Sequence, residues 1–298
     1  MHFLLALALL AQTSATPNPN LDQKIRARMA KTKGAVSLYA KNLDTGAEYG
    51  IRADEKVRTA STIKLPVMVE CYKAVAEGRA AWNTELILRD EDKVSGSGVL
   101  FEFSNNAKVF LRDAMHLMIV VSDNTATNLI LDKLSANAVN KTMDELGLPG
   151  TRSMRKVRGD GNKLKDPTGW SDAGLKEENK KYGLGSSTPR EMVRLLEMLE
   201  QGKVVSPAAS KEMLEVLKRQ QLRDGIARTT GELPVASKTG SLDRLRSDVG
   251  IVYTPKGGRI AMAITIDDMP ASDYSPDNPG LLLISDLSKL LVEGLGKK

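Results

Sequence analysis

Cysteine and histidine are almost missing. The chain of 298 residues has one cysteine, Cys71, and two histidines, His2 and His116. A lone cysteine cannot form a disulfide within the chain. One cysteine with two histidines cannot build a multi-His or Cys-rich metal centre, so no metal is expected. A Ser-His-Asp triad in the body of the chain can draw only on His116. Aromatic residues make up 4% of the sequence. No basic stretch is studded with them in the way that stacks bases, so nucleic acid is not an expected partner. No apolar run reaches the roughly 18–20 residues that a membrane span needs. No coiled-coil seam suggests assembly, and a monomer is expected.

What is present suffices for a large core. Hydrophobic residues make up 41% and charged residues 27%, which excludes a disordered chain and a collagen-like fibre. The length fits one compound domain or two lobes sharing a cleft. The net charge is +6. Its basic residues are scattered, densest between Arg152 and Lys181, where acidic residues interleave. That pattern reads as a solvated face, one that still attracts anionic substrates or cell-wall polymers. No organic cofactor is indicated.

The first residues read as a targeting segment. Phe3 to Ala11 is an apolar run, small residues come after it at Thr13-Ser14-Ala15, and polar, Pro-containing sequence comes next. This is the order of a signal peptide over 1–15, despite a weak n-region, and it implies export to a bacterial periplasm or the extracellular space. Residues 16–298 then form a single domain.

The remaining pattern predicts a helix over Leu21 to Lys33, strands over Ala35 to Leu43 and Ala47 to Ile51, and a helix from about Ser61 to Glu77. The middle is mostly helical, with apolar helical stretches at Ala114 to Val121 and Ala126 to Leu134. Thr188-Pro189-Arg190-Glu191 has the pattern of a capping box with proline at the first helical position. Ser206-Pro207 starts another helix. Later strands lie at Val235 to Thr239, Ser247 to Thr254 and Arg259 to Ile266, the last two joined by a hairpin at Pro255 to Gly258. A final amphipathic helix runs from Leu281 to Leu295. The polar, Gly-rich stretch from Gly159 to Ser187 reads as a long functional or mobile loop.

Segregated strands and helices argue an α+β fold. The early and late strands pair in one antiparallel sheet flanked by the terminal helices, and the middle forms an all-helical lobe. The expected α/β lobe covers about 20–55 and 205–298, the helical lobe about 56–204, with the active site in the cleft between.

Three short motifs stand in order: Ser61-Thr62-Ile63-Lys64, Ser122-Asp123-Asn124 and Lys238-Thr239-Gly240. S-x-x-K alone is weak. About one or two chance matches are expected in such a chain, and Ser153-Met154-Arg155-Lys156 is a second one. The ordered triple is the strong signal. Ser61 at a helix start faces the positive end of the dipole, and the i, i+3 spacing brings Lys64 to the same face. A serine hydroxyl attacks only when a base takes its proton. Lys64 can be that base if burial and a second cation, Lys238, lower its pKa. Ser122 can pass a proton to a leaving nitrogen. Asn124 can bind a substrate amide, while Asp123 ties the loop together. Lys238 and Thr239 can hold a substrate carboxylate, and Gly240 permits close approach of the backbone. The Ser241 and Ser61 N–H groups together can make an oxyanion hole.

The chain resembles a class A β-lactamase-related serine hydrolase. Besides the three motifs, Gly96-Ser97-Gly98 before Leu100, the run from Leu117 to Leu129 and the run from Arg246 to Tyr253 carry the likeness, which spans nearly all of the mature chain. The resemblance implies Ser61 as nucleophile, Lys64 as its base, Ser122 as proton shuttle and Lys238 as carboxylate anchor. Arg244 or Arg246 could assist that anchor, and the sequence does not decide between them. Small-molecule β-lactams or cell-wall peptides are the implied substrates.

One departure matters. The family carries a glutamate after the S-D-N helix that activates the water clearing the acyl-enzyme. Here the corresponding stretch reads Thr151-Arg152-Ser153-Met154-Arg155-Lys156-Val157, which puts Val157 at the glutamate's place and Gly161 where the family has Asn. Glu177 and Glu178 are the candidates to replace it from within the long loop. The expected activity is therefore hydrolysis of the β-lactam amide through acyl-Ser61 with weak deacylation. The alternatives are a penicillin-binding protein or D-alanyl-D-alanine peptidase, or a sensor that is acylated without turnover.

Overall fold

A computed structural model describes residues 19–159, 164–256 and 258–296. The expected targeting segment and Gly161 lie outside them. The chain begins with helix α1 (Pro19–Met29), then strands β1 (Ala35–Asn42), β2 (Glu48–Ile51) and β3 (Val57–Arg58). A 3-10 turn over Ala60–Ile63 runs into α2 (Lys64–Ala76). Next come β4 (Glu85–Leu88), β5 (Ala107–Phe110), α3 (Leu111–Val120), α4 (Asn124–Leu134), α5 (Ala136–Glu145) and β6 (Arg152–Ser153). The chain continues through the short α6 (Asp172–Leu175), β7 (Gly185–Ser187), α7 (Pro189–Glu200) and α8 (Pro207–Leu217). It closes with β8 (Val235–Leu242), β9 (Leu245–Thr254), β10 (Gly258–Asp267) and α9 (Pro279–Leu295).

The architecture is α+β. The main sheet is antiparallel with order β2-β1-β10-β9-β8, so the first and last thirds of the sequence meet at the β1–β10 pair, where Ala35 opposes Asp267 and Asn42 opposes Ile260. One face packs on the terminal helices: Leu21 and Ile25 of α1 and Leu283, Leu287 and Leu291 of α9 are buried against Val36, Leu38, Ile260, Met262 and Ile264. Each such aliphatic side chain contributes about 1.5–3 kcal/mol when fully buried. The other face, with Ala236, Val249, Ile251, Ala261 and Ala263, joins the core built by α2, α3, α4, α5, α7 and α8. Cys71 is buried in that core.

Strand alternation then sorts the site residues. Val235 packs on the terminal-helix side and Ala236 on the helical side. With a period of two, Lys238 and Gly240 fall on the helical side, and Thr239 and Ser241 on the other. The cross-strand partners Asp248, opposite Thr239, and Arg246, opposite Ser241, share that second face.

Several elements differ from expectation. Ser61 sits in the 3-10 turn and α2 begins at Lys64, because Thr62 N–H and its hydroxyl both bond to Thr59 O and tighten the entry. Thr188 caps α7 by accepting from Glu191 N–H at 3.1 Å. The reciprocal half of the capping box is absent, since Glu191 instead accepts from Gly150 N–H (2.8 Å) and the Thr151 hydroxyl (2.7 Å). The stretch expected as a long loop contains α6, a 3-10 turn over Glu177–Tyr182 and β7, which pairs with β3 and β6.

Candidate active site

Two strained residues frame the centre. Ala60 (φ 48°) and Ser122 (φ 58°) both have left-handed backbones without being glycine, a conformation that costs on the order of 1–3 kcal/mol and clusters at functional sites. Ala60 turns the chain immediately before Ser61. Ser122 is held by its neighbour Asp123, whose carboxylate accepts from the N–H groups of Ala126 (2.8 Å), Val99 (2.6 Å) and Leu100 (2.9 Å). A Cβ on Gly98 (φ 101°) would lie 2.3 Å from the Asp123 carboxyl group, so only glycine fits there. Asp123 is thus a loop tie.

Lys64 is fully buried. Its ammonium donates to Ser122 O (2.6 Å), Ser122 Oγ (3.2 Å) and Asn124 Oδ1 (2.9 Å). Those three acceptors account for all three of its protons. Loss of one proton leaves a lone pair beside the Ser122 hydroxyl and Asn124. Burial first, and then the charge of Lys238, hold Lys64 well below the usual ammonium value, with Asp123 opposing. Asn124 Nδ2 donates to Ser95 O at 2.9 Å, so both ends of its amide already have partners. This makes Asn124 a fixed strut between Lys64 and the loop.

Lys238 is also fully buried and donates to Thr239 O at 2.9 Å. Burial pushes it down to about 7, against the pull of Asp248. Asp248 is raised by burial to about 6, and accepts from Ile226 N–H at 2.8 Å. The two buried lysines therefore occupy one neighbourhood, and the roles expected of them are opposite: a neutral amine at Lys64, a cation at Lys238. Lys64 is held below the usual ammonium range, so its basic form becomes available at lower pH than for a free lysine, and Lys238 loses its proton near 7. Acylation should be bell-shaped with pH, its descending limb set by Lys238. Lys238→Arg, permanently charged, is expected to move that limb above about pH 9. Second-order acylation constants measured across pH check this, and a descending limb left in place would contradict it.

The expected oxyanion donors, the Ser241 and Ser61 N–H groups, lie on β8 and the 3-10 turn. β8 is an edge strand, joined to β9 by a two-residue turn at Asp243-Arg244. Leu242 and Leu245 close that hairpin as a hydrogen-bonded pair, so the next pair, Ser241 and Arg246, is not bonded and the Ser241 N–H points out of the edge. Gly240 lies against the nucleophile's turn: a Cβ there would be 2.8 Å from Thr59 O and 3.0 Å from Ser61 N. Gly240→Ala must therefore push β8 away from Ser61. Misplacement of about 1 Å costs on the order of 10²-fold in rate, so acylation is expected to fall by about that factor while the melting curve changes little. Acylation at the wild-type rate would contradict this packing.

Other candidate residues sit elsewhere. Arg246 is buried, and its guanidinium is taken by Leu242 O (2.8 Å), Leu245 O (2.5 Å) and Asp273 O, with Tyr274 stacked 4.6 Å away. Arg244 is exposed and bonds Met269 O. Neither guanidinium is aimed at Lys238 by these contacts. Thr239 is buried and Ser241 exposed. Glu177 is 83% exposed and paired with Lys180 at 2.5 Å. Glu178 is exposed beside it. Neither folds into the buried centre. In the second S-x-x-K match, Ser153 is fully buried on β6 and Lys156 is paired with Asp132 at 2.7 Å.

Asn128 is the residue that the motif reading passed over. One turn beyond Asn124 on α4, it accepts from Val157 N–H (2.7 Å) and donates to Val157 O (2.8 Å). The i, i+4 relation to Asn124 was the available signal. Asn128 lies about 6 Å along the helix from Asn124, which holds Lys64, and its clamp fixes the backbone of Val157. Among the described residues, no group of three metal-ligating side chains is present, and no helix is long and apolar enough to cross a membrane.

The profile described as "Beta-lactamase enzyme family" matches residues 20–295. The chain is similar to a β-lactamase of Rhodobacter capsulatus, 26% identical over 286 residues that cover 95% of this chain and 90% of that protein. It is also similar to the β-lactamase regulatory protein BlaB of Streptomyces cacaoi, 24% identical over 276 residues, covering 83% of this chain and 88% of that one. Among solved structures, a β-lactamase from Sphaerobacter thermophilus superposes with TM-score 0.78 at 28% identity, covering 93% of this chain and 96% of that one. PBP-A superposes with TM-score 0.77 at 28% identity over the same shares of each chain. A leucine-to-glutamate variant of PBP-A, captured as an acyl-enzyme with penicillin G, does so with TM-score 0.75 at 28% identity, over 93% and 97%.

Proposed function

The chain belongs to the β-lactamase enzyme family, and from that premise we propose an exported serine hydrolase of class A type that is acylated by β-lactams on Ser61 and releases them slowly. Lys64 takes the Ser61 proton, Ser122 hands it to the departing ring nitrogen, and the Ser61 and Ser241 N–H groups receive the developing oxyanion. Lys238 attracts the substrate carboxylate.

The slow release is supported by Val157, which the family resemblance puts in the place of the water-activating glutamate and whose backbone Asn128 clamps at 2.7 and 2.8 Å. A valine has no basic atom, and loss of a positioned general base costs roughly 10²–10⁴-fold. The same observation favours a second reading, a penicillin-binding peptidase that acts on cell-wall peptides ending in D-alanyl-D-alanine. A peptide's D-alanine diffuses away after acylation and opens the site, whereas a β-lactam's amine remains tethered to the acyl group. The likeness to PBP-A supports that reading.

A chromogenic cephalosporin should give a burst of about one equivalent per enzyme before slow turnover, the pattern of acyl-enzyme accumulation. Release of D-alanine from a model peptide would select the peptidase. Rapid steady turnover without a burst would overturn slow deacylation.

A further inference from the structure

A second concave site lies between α3 and α8, on helices that also build the core beneath the active site. Its volume is about 330 Å³. The floor is apolar: Tyr72 and Val216 line it and are themselves buried, with Tyr72 braced edge-on by Trp82 at 4.7 Å. The rim is cationic. Arg112 and His116 come from α3, Lys211 from α8, and Arg219 from just beyond its end.

Two acidic residues also line the site. Glu215 pairs with Lys218 at 2.8 Å, and the charge of Glu212 acts on the Tyr72 hydroxyl, which burial and that charge make harder to ionise. Arg219 leans on His116, with Nη2 3.5 Å from Nε2, and on Glu215 O at 3.4 Å. The Arg112 guanidinium and the Lys211 ammonium have no hydrogen-bond or ion-pair partner among the described residues. Two unpaired cations above an apolar floor match a flat apolar body carrying a negative charge. We propose that this pocket is a binding site for a small organic carboxylate, whose apolar body rests on Tyr72 and Val216 and whose carboxylate bridges Arg112 and Lys211.

His116 reports occupancy. The groups facing it are Arg112 and Asp113 on its own helix, Lys211, Glu212, Glu215 and Arg219 across the gap, and Tyr72 beneath. Burial first, then Arg219 and Arg112, hold its imidazole below the ordinary value. A bound carboxylate offsets those two charges, so the imidazole should become more basic.

The test monitors the His116 ring signals by NMR across pH, assigned by their loss in His116→Gln. Benzoate is the probe, with inorganic phosphate and benzyl alcohol as comparisons. Benzoate is expected to raise the His116 pKa by about one unit in a saturable manner. Benzyl alcohol should leave it unchanged, phosphate should bind more weakly, and Arg112→Gln/Lys211→Gln should abolish the effect while acylation of Ser61 continues. The proposal is overturned if benzoate leaves His116 unmoved, if benzyl alcohol or phosphate acts as strongly as benzoate, or if the double variant responds like the wild type.

Discussion

Penicillin should leave no covalent mark on the Ser61→Ala protein, while Ser153→Ala should be labelled as fully as the wild type. The two serines share the same short motif, and the structure separates them. Ser61 is half-buried in a turn set by the left-handed Ala60, with Gly240 packed against its N–H. Its motif lysine, Lys64, is desolvated and aimed at Ser122 and Asn124. Ser153 has none of this. It lies on a strand, fully buried, with an unpartnered hydroxyl, and its motif lysine is spent on Asp132. Deleting a nucleophile that works as part of a unit costs on the order of 10⁶-fold in turnover. Deleting an unsatisfied buried hydroxyl is close to neutral for stability. Intact mass after penicillin treatment checks both, and label retained on Ser61→Ala would move the nucleophile elsewhere.

The second large effect is expected from Val157→Glu. Asn128 grips the main chain of residue 157 through both its N–H and its C=O, so the side chain can change while the backbone holds its place. A glutamate there restores the carboxylate that the family resemblance puts at this position. Deacylation should accelerate by about 10²–10⁴-fold, with the acylation rate little changed, because Lys64, Ser122 and the N–H donors are untouched. Val157→Gln fills similar space without a base and should not accelerate release. The half-life of the penicillin adduct in the three proteins measures this. Equal half-lives would show that residue 157 does not address the reacting water.

The parts legible in the sequence are those whose signal is local. The alternation in Ala35 to Leu43 and the apolar runs of the late strands marked the sheet, and Thr188-Pro189 marked the start of α7, because strand patterns and caps act over a few residues. The two- to four-residue strands β3, β4, β5, β6 and β7 carry too few residues for a period to register, and lack the turn after a clear strand that marked the equally short β2. Glu191 illustrates a different failure: its spacing from Thr188 fits a capping box, but Gly150 and Thr151, about forty residues earlier, compete for its carboxylate and win. Arg246 is similar. Its charge is plain in the sequence, whereas the carbonyl of Asp273 and the ring of Tyr274 that enclose it come from a later loop. At the site, residue types and order were readable. The strain at Ala60 and Ser122 and the grip of Asn128 on Val157 were not, since each depends on chain segments brought together only by folding.

The central claim is an acyl group that is taken up readily on Ser61 and given back slowly. Time-resolved intact mass after a single addition of penicillin G tests it most directly. A single adduct should form, map to the peptide that contains Ser61, and persist long after free penicillin is removed. Unmodified mass throughout, with penicillin intact or rapidly hydrolysed, would contradict it.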